Sequence, residues 1–304
     1  MKLSELPVGL LNSHLSEKGL FFRIGPFSIC LKNDLIGLTP LINRLYAFYP
    51  VLEDYSFADY HLLVTRKAGL TNRINNNARL WMDDESIFPV FPQDVALPFL
   101  EWGINWCVAT RAHHYLMLHA GVLEKNGNAV LLPAWPGSGK STLCTALCHR
   151  GWRLLSDEIA LVRPADLALI PFPRLIPLKN ESIAVIRAFA PEAVMGPEYP
   201  KTRKGTICHV RPPAGSIDRV DQTAQAHWII FPHFQAGAEL RLQSLAKARS
   251  FLKLAGNSFN YEQIGLRGFQ AVAGLIDSCD CYLFQYSDLE QAVAQLNALA
   301  DGLI

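Results

Sequence analysis

The sequence predicts an α/β protein in which a Gly-rich anion-binding loop joins a strand to a helix, behind a smaller α+β region. Three observations predict it. The stretch 131–142, LLPAWPGSGKST, is an apolar run, a Gly-rich turn and then Lys140, Ser141 and Thr142 opening a helical segment. Two apolar runs flank Asn126 and Gly127, the strongest short-range hairpin signal. A short apolar run, WRLLSD at 152–157, follows the helix and ends on two adjacent carboxylates, Asp157 and Glu158.

The loop comes first because its residue types carry a chemistry. A nucleotide polyphosphate takes many hydrogen bonds at close range, and backbone N–H groups supply them only where side chains do not obstruct the approach. Gly137 and Gly139 clear that space. Lys140 reaches the β and γ phosphates as a point charge, the Ser141 hydroxyl can ligate Mg²⁺, and the following helix presents its positive end. The nucleotide-binding set is Ala134, Trp135, Pro136, Gly137, Ser138, Gly139, Lys140, Ser141 and Thr142. The general pattern begins with Gly, whereas this chain has Ala134 there and Pro136 two residues on. An ordinary Gly/Ser turn is the plain alternative. The strand-like NAVLLP before the loop and the helix-like TLCTALCHR after it favour the phosphate loop.

The hairpin upstream fixes a register. With Asn126 and Gly127 as the two loop residues, Lys125 faces Asn128, Leu123 faces Val130, and His119 falls opposite Ala134, beside the loop. A histidine that only packs against its strand is the alternative.

Downstream, a helix from Gly139 to about Arg150 runs roughly 18 Å away from the phosphates, and Gly151 stops it. The strand-like run at 152–157 spans roughly 20 Å, enough to return in a right-handed βαβ crossover. Asp157 and Glu158 then arrive near the γ phosphate, where carboxylates hold Mg²⁺ or accept a proton from an attacking hydroxyl. A solvated acidic strand end is the alternative.

Composition bounds the rest. The chain has 304 residues, 50% hydrophobic and 18% charged, with a formal net charge of +1. That is a core-forming globular composition, and it gives no bulk electrostatic hold on nucleic acid or on an anionic membrane. The first twenty residues are interrupted by Glu5, Pro7 and Glu17, a poor secretory signal, and no apolar run is long enough to span a bilayer. Seven cysteines without a CxxC pair favour reduced thiols and a cytoplasmic protein. Cys144 and Cys148 share a helix face as small buried residues.

Residues 1–112 are expected to form the small α+β domain. Residues 19–32 read as a bent strand or a hairpin with Gly25 and Pro26 at the turn, 41–48 as helical, and 61–65 and 79–82 as short strands separated by the polar loop TNRINNN. Residues 99–113 read as a helix with Glu101 and Arg111 placed favourably for its dipole. Residues 113–304 carry the chemistry. Asn180 or Ser182 is the candidate cap of a short helix, and Arg174 and Lys179 are candidate nucleotide or substrate contacts, with exposed helix-end cations as the alternative. The segment KTRKGTICHVRPP concentrates Lys201, Arg203, Lys204 and Arg211; Arg203 and Lys204, beside Gly205, are the residues chosen to close over phosphates on a mobile basic loop. A solvated charge run is equally open. HWIIFPHF reads as a buried strand, LQSLAKARSFLKLA and GFQAVAGLIDSC as amphipathic helices, CYLFQY as a strand, and the last helix starts at Asp288.

The residues 118–162 resemble the HPr kinase/phosphorylases and the related kinases of bacterial gene clusters: HAGVL at 119–123, a hairpin, a loop ending GKS, then RGWRLLSDE. The resemblance implies an HPr-kinase-like domain, with a fold shared with phosphoenolpyruvate carboxykinase and its phosphate loop within a mixed sheet. It implies that Lys140 and Ser141 bind ATP and Mg²⁺, that Asp157 is the general base toward a serine hydroxyl, and that Glu158 occupies a second acidic position tied to the metal. His119 maps onto the family's strand histidine near the reacting phosphate. The resemblance also implies a homo-oligomer. Ala134, Glu158 in place of Asp, and the lack of the Gly-containing signature of true HPr kinases direct it toward the kinases of peptide-modification clusters, whose acceptor is a hydroxyl on a peptide.

Three classes of function are compatible with a phosphate loop. A kinase moves the γ phosphate to a hydroxyl of a peptide, a protein or a small molecule. An NTPase switch or transport ATPase carries its acidic strand far downstream of the lysine, whereas Asp157 follows Lys140 by 17 residues here. A binding module without turnover would lack the lysine or a carboxylate, and neither is missing.

Overall fold

The computed structural model describes residues 1–53, 57–67 and 76–303. In its first sheet two strands are buried almost throughout and two alternate with period two. Of the bent strand and the hairpin open to residues 19–32, Leu20–Ile24 (β1) and Phe27–Asn33 (β2) form the hairpin, and Tyr60–Arg66 (β3) lies parallel to β2. Asn77–Met82 (β4) pairs antiparallel with β3, and the short Glu85–Ser86 (β5) and Phe91–Pro92 (β6) pair with β4. The loop expected over TNRINNN lies, through residue 75, outside the described residues.

Among the described residues, the α-helices Val8–Ser13 (α1), Thr39–Leu45 (α2) and Ala96–Arg111 (α3) accompany this sheet. On α3, Leu100, Ile104 and Val108 join Leu62, Val64 and Leu80 in one buried cluster. Met117, Ile159, Phe172 and Ile217 belong to the same cluster, so apolar side chains from both sides of residue 112 share a core. Helix α3 starts earlier than its sequence suggests. Glu101 therefore lies in the second turn, 1% exposed, as one member of a buried ion network rather than as a partner of the helix dipole.

The central sheet starts with Leu116–Lys125 (β7) and Asn128–Pro133 (β8). Asn126 and Gly127 turn with φ of 55° and 84°, Lys125 pairs with Asn128 and Leu123 with Val130, as read from the sequence. Lys140–Cys148 (α4) follows the Gly-rich loop, and Arg153–Ser156 (β9) and Ile159–Val162 (β10) both pair antiparallel with β7. The return strand thus neighbours β7, one strand beyond β8. Leu169–Ile170 (β11) closes that edge.

A three-stranded sheet comes next: Ile176–Lys179 (β12), then helix Glu181–Phe189 (α5), then the hairpin Tyr199–Thr202 (β13) and Gly205–Val210 (β14), with β14 in the middle. Arg203 and Lys204 are the turn of that hairpin. The basic segment is therefore a strand pair with a tight tip, where the sequence reading has a mobile loop. Thr202 lies opposite Gly205, and Gly205 takes the left-handed conformation, φ 87°, that tight hairpin ends favour.

After Ala214–Asp218 (α6), Gln225–Phe234 (β15) inserts parallel between β8 and Asp280–Tyr286, and Arg241–Ser244 (β16) pairs antiparallel with the latter strand (β17). Residues 242–244 were expected to start a helix. They extend instead because β17, some forty residues later, offers them a hydrogen-bonding edge, and the helix Lys247–Gly256 (α7) begins only after it. Leu266–Ser278 (α8) and Leu289–Ala300 (α9) complete the chain, and the Asp288 side chain caps α9 by accepting from the Gln291 amide. Alternate residues of β8 feed the two faces: Val130 and Leu132 pack with α4, α5 and α9, while Ala129 and Leu131 pack with α7 and α8. The result is a mixed α/β fold with the Gly-rich loop at the carboxyl end of β8, next to the ends of β15 and β17. All seven cysteines are free and buried. Among the described residues no helix is long and apolar enough to cross a membrane.

Candidate functional site

The site forms where three pieces of chain meet: the loop at 134–139, the first turn of α4, and the break between β9 and β10. The loop is pinned at both ends. Ala134 N–H donates to the His119 carbonyl at 3.4 Å, extending the hairpin to the pair read from the sequence. At the other end the Phe234 N–H donates to Ser138 O at 3.0 Å and the Tyr286 hydroxyl to Gly139 O at 3.2 Å. Gly139, with φ 84°, caps α4, and a Cβ there would lie 2.4 Å from Tyr286 Oη and 2.9 Å from Phe234 Cβ. No other residue fits that position. Gly137 is also left-handed, at φ 91°, but a Cβ on it would point into open space.

Close packing of α4 on β7 then sets the depth of Lys140. Gly121 makes this possible, since a Cβ there would lie 2.4 Å from Cys144 Sγ. Lys140 is 8% exposed, and its ammonium donates to the Asp157 carbonyl oxygen and lies 3.3 Å from Asp157 Oδ1. Burial alone would lower its pKa, but the Asp157 charge, with Cys144 and Glu158, outweighs burial and raises it, so the lysine is a firm cation. The Ser141 hydroxyl donates to Asp157 Oδ2 at 2.8 Å. Asp157 is 5% exposed, and the Ser156 hydroxyl, bonded to Ile159 O at 2.7 Å, braces the short break that carries it.

Glu158 points elsewhere. Asn105 Nδ2 donates to its Oε2 at 2.6 Å and Arg174 Nη2 to the same oxygen at 3.3 Å. Burial pushes this carboxyl up, but Arg174, Lys140, Asn105 and Lys204 together bring it down to about 2. His119 is half-buried on β7, and its ring meets that of Phe259 at 5.8 Å. Burial, then the Lys140 charge, lower its pKa, so it is a neutral imidazole at neutral pH. Lys179, at the end of β12, has its pKa lowered by burial and by Lys204. The Lys204 ammonium stands 5.6 Å over the Trp102 ring, while Arg203 is exposed at the hairpin tip. The hairpin is oriented by Asn180, whose Oδ1 accepts from the Thr206 amide at 3.0 Å.

Sequence reasoning placed the loop, Lys140, Ser141, Asp157 and His119 together, and the structure brings them together. It missed Glu101, Trp102, Asn105 and Tyr286, which come from distant segments with no local signal. Arg174, a candidate nucleotide or substrate contact, is not an exposed helix-end cation. It is 5% exposed and shared between Glu101 and Glu158. On the other flank of the loop, away from the acidic pair, a cavity of about 500 Å³ is lined by Trp135, Gly137, Phe231, His233, Lys253 and Asn257, among others.

The donor set suits a hard divalent ion. Ser141 Oγ and Asp157 Oδ2 converge as two oxygen donors, and Mg²⁺ is usually bound through one or two carboxylates plus substrate phosphates and water.

Comparison with known proteins adds a partial match. A family model described as SynChlorMet cassette protein ScmC matches residues 88–178. That stretch runs from the approach to α3 through β12 and includes the hairpin, the loop, Asp157, Glu158 and Arg174. No curated protein matches the chain. Among solved structures, the chain is similar to the Hpr(Ser) kinase/phosphatase from Coxiella burnetii, at 12% identity over 61% of this chain and 95% of that one, with a TM-score of 0.26.

Proposed function

We propose that the protein is an ATP-dependent kinase that transfers the γ phosphate of ATP to a serine-type hydroxyl of a peptide or protein. The observation that carries this reading is the convergence on Asp157 of Lys140 and Ser141, a cation and a hydroxyl at the mouth of a Gly-rich loop. In the reading, the amides of residues 137–139 and the N-terminus of α4 cradle the β and γ phosphates, and Lys140 turns from Asp157 to the phosphate oxygens. Asp157 orients the acceptor hydroxyl and takes its proton as the oxygen attacks. Mg²⁺, held by Ser141 and Asp157 with Glu158 beside them, would neutralise phosphate charge. Lys179, Lys204 and Arg203 line the acceptor flank and balance the charge of the passing phosphoryl group. His119, uncharged, offers a hydrogen bond to it without adding charge. The nucleoside end occupies the cavity beside Phe231 and Lys253, at the carboxyl ends of parallel strands, where α/β sheets commonly bind ligands.

A peptide acceptor accords with the word cassette in the matched family description, since its substrate would then be encoded nearby. The test is incubation with γ-labelled ATP, Mg²⁺ and the peptides and small molecules of that setting, followed by mass spectrometry. A labelled phosphoester on a peptide hydroxyl supports the reading. Label on a small molecule would reassign the acceptor, and label only in free phosphate would favour an NTPase switch.

A further inference from the structure

Helix α3 turns one face toward the candidate site. Glu101, Trp102 and Asn105 share that face, and each touches a different charged residue of the site. Glu101 Oε2 lies 3.4 Å from Arg174 Nη2, the Trp102 ring lies under Lys204, and Asn105 donates to Glu158 at 2.6 Å. Glu101 is fixed from behind by the Tyr46 hydroxyl, and its own carbonyl accepts from Arg174 Nη1 at 2.8 Å. Arg174 is thereby tied to α3. Its Nη1 is bonded to the Glu101 carbonyl on α3, and its Nη2 lies between the two carboxylates, 3.4 Å from Glu101 Oε2 and 3.3 Å from Glu158 Oε2.

Asn105 shows what this geometry costs. Its Oδ1 is buried and has no hydrogen-bond partner among the described residues. An unsatisfied buried acceptor destabilises the fold, and leucine would fill the same space without it. The amide at this position makes sense through its donor, which is aimed at Glu158.

We infer that Asn105, Glu101 and Arg174 are positioning residues that hold the Glu158 carboxylate in one place beside Asp157, so that a helix from the N-terminal part of the chain completes the transfer site. This rests on the kinase reading above. None of the three is assigned a contact with nucleotide or acceptor; they act through Glu158.

The test is a double-mutant cycle on turnover, counted as labelled product plus labelled free phosphate. Asn105→Leu is expected to lower kcat about tenfold, the effect of about 1.4 kcal/mol, with the KM for ATP changed less than about twofold and the thermal midpoint unchanged or raised. In a Glu158→Gln background the same substitution should lower kcat less than about twofold further, because the group it acts through is gone. Arg174→Lys, which keeps the charge but loses the paired Nη contacts, should show the same non-additivity. Wild-type-like kcat in folded Asn105→Leu overturns the inference and leaves the kinase reading intact, as does a full tenfold loss in the Glu158→Gln background. A wild-type protein that neither transfers nor releases the γ phosphate overturns both.

Discussion

The Ser141 hydroxyl donates to Asp157 Oδ2 at 2.8 Å. The two residues belong to different elements, one opening α4 and the other interrupting the strands that run along β7. Their meeting puts a hydroxyl from the Gly-rich loop's helix, a carboxylate and the Lys140 ammonium within one small volume, and each can exchange its present partner for a phosphate, a metal or an acceptor hydroxyl.

Asp157→Asn should separate binding from transfer. The amide still accepts from Ser141 but cannot take a proton, so transfer should fall by about 10²–10⁴, the usual share of general-base catalysis. ATP affinity, measured by calorimetry, should stay within a few-fold.

Lys140→Met leaves Asp157 buried without its cation. Removing one partner of a buried pair costs about 3–5 kcal/mol, so the midpoint of urea unfolding should drop clearly at neutral pH. ATP binding should weaken in parallel. A variant as stable as the wild type would show that the pair contributes nothing to the fold.

The two loop glycines should respond differently to alanine. Gly137→Ala meets only backbone strain, on the order of 1 kcal/mol, because its Cβ points into open space. Gly139→Ala adds a clash with Tyr286 Oη and Phe234 Cβ, which are the loop's own supports. Calorimetric ATP affinity should therefore suffer much more at position 139. Equal losses would mean that Tyr286 and Phe234 do not shape the loop.

His209 sets a pH dependence on stability. It is 1% exposed on β14 and its Nδ1 has no partner among the described residues. Burial, then the Arg174 and Lys179 charges, lower its pKa to about 3, with Glu158 opposing. The unfolded chain binds the proton more readily, so this share of stability is complete above pH 6.5 and is lost as pH falls toward 3. One such group contributes a slope of at most about 1.4 kcal/mol per pH unit. Thermal unfolding followed from pH 7 downward should show a shallower decline in His209→Gln than in the wild type.

Much of the candidate site was legible because it is built from local signals. Asn126 and Gly127 define a turn, period two then fixes every pair back to His119, and the run 152–157 has the length to return along the sheet. Residues 242–244 were misread because a strand edge is supplied by a distant partner, β17. Glu101 was misread for a related reason: its charge looked like a helix-end signal, while its real partners, Tyr46 and Arg174, lie 55 and 73 residues away. The hairpin carrying Lys204 did leave a trace, two residues followed by Gly205, and that pattern predicts a turn rather than an open loop.

One comparison probes the site's chemistry most directly: the γ-labelled phosphoester formed on a hydroxyl-bearing peptide by wild-type protein and by Asp157→Asn, both saturated with MgATP. The wild type should form it, and the variant should bind the nucleotide yet leave the peptide unlabelled. Equal labelling by the two proteins would contradict the assignment of Asp157 as the proton acceptor and, with it, the mechanism.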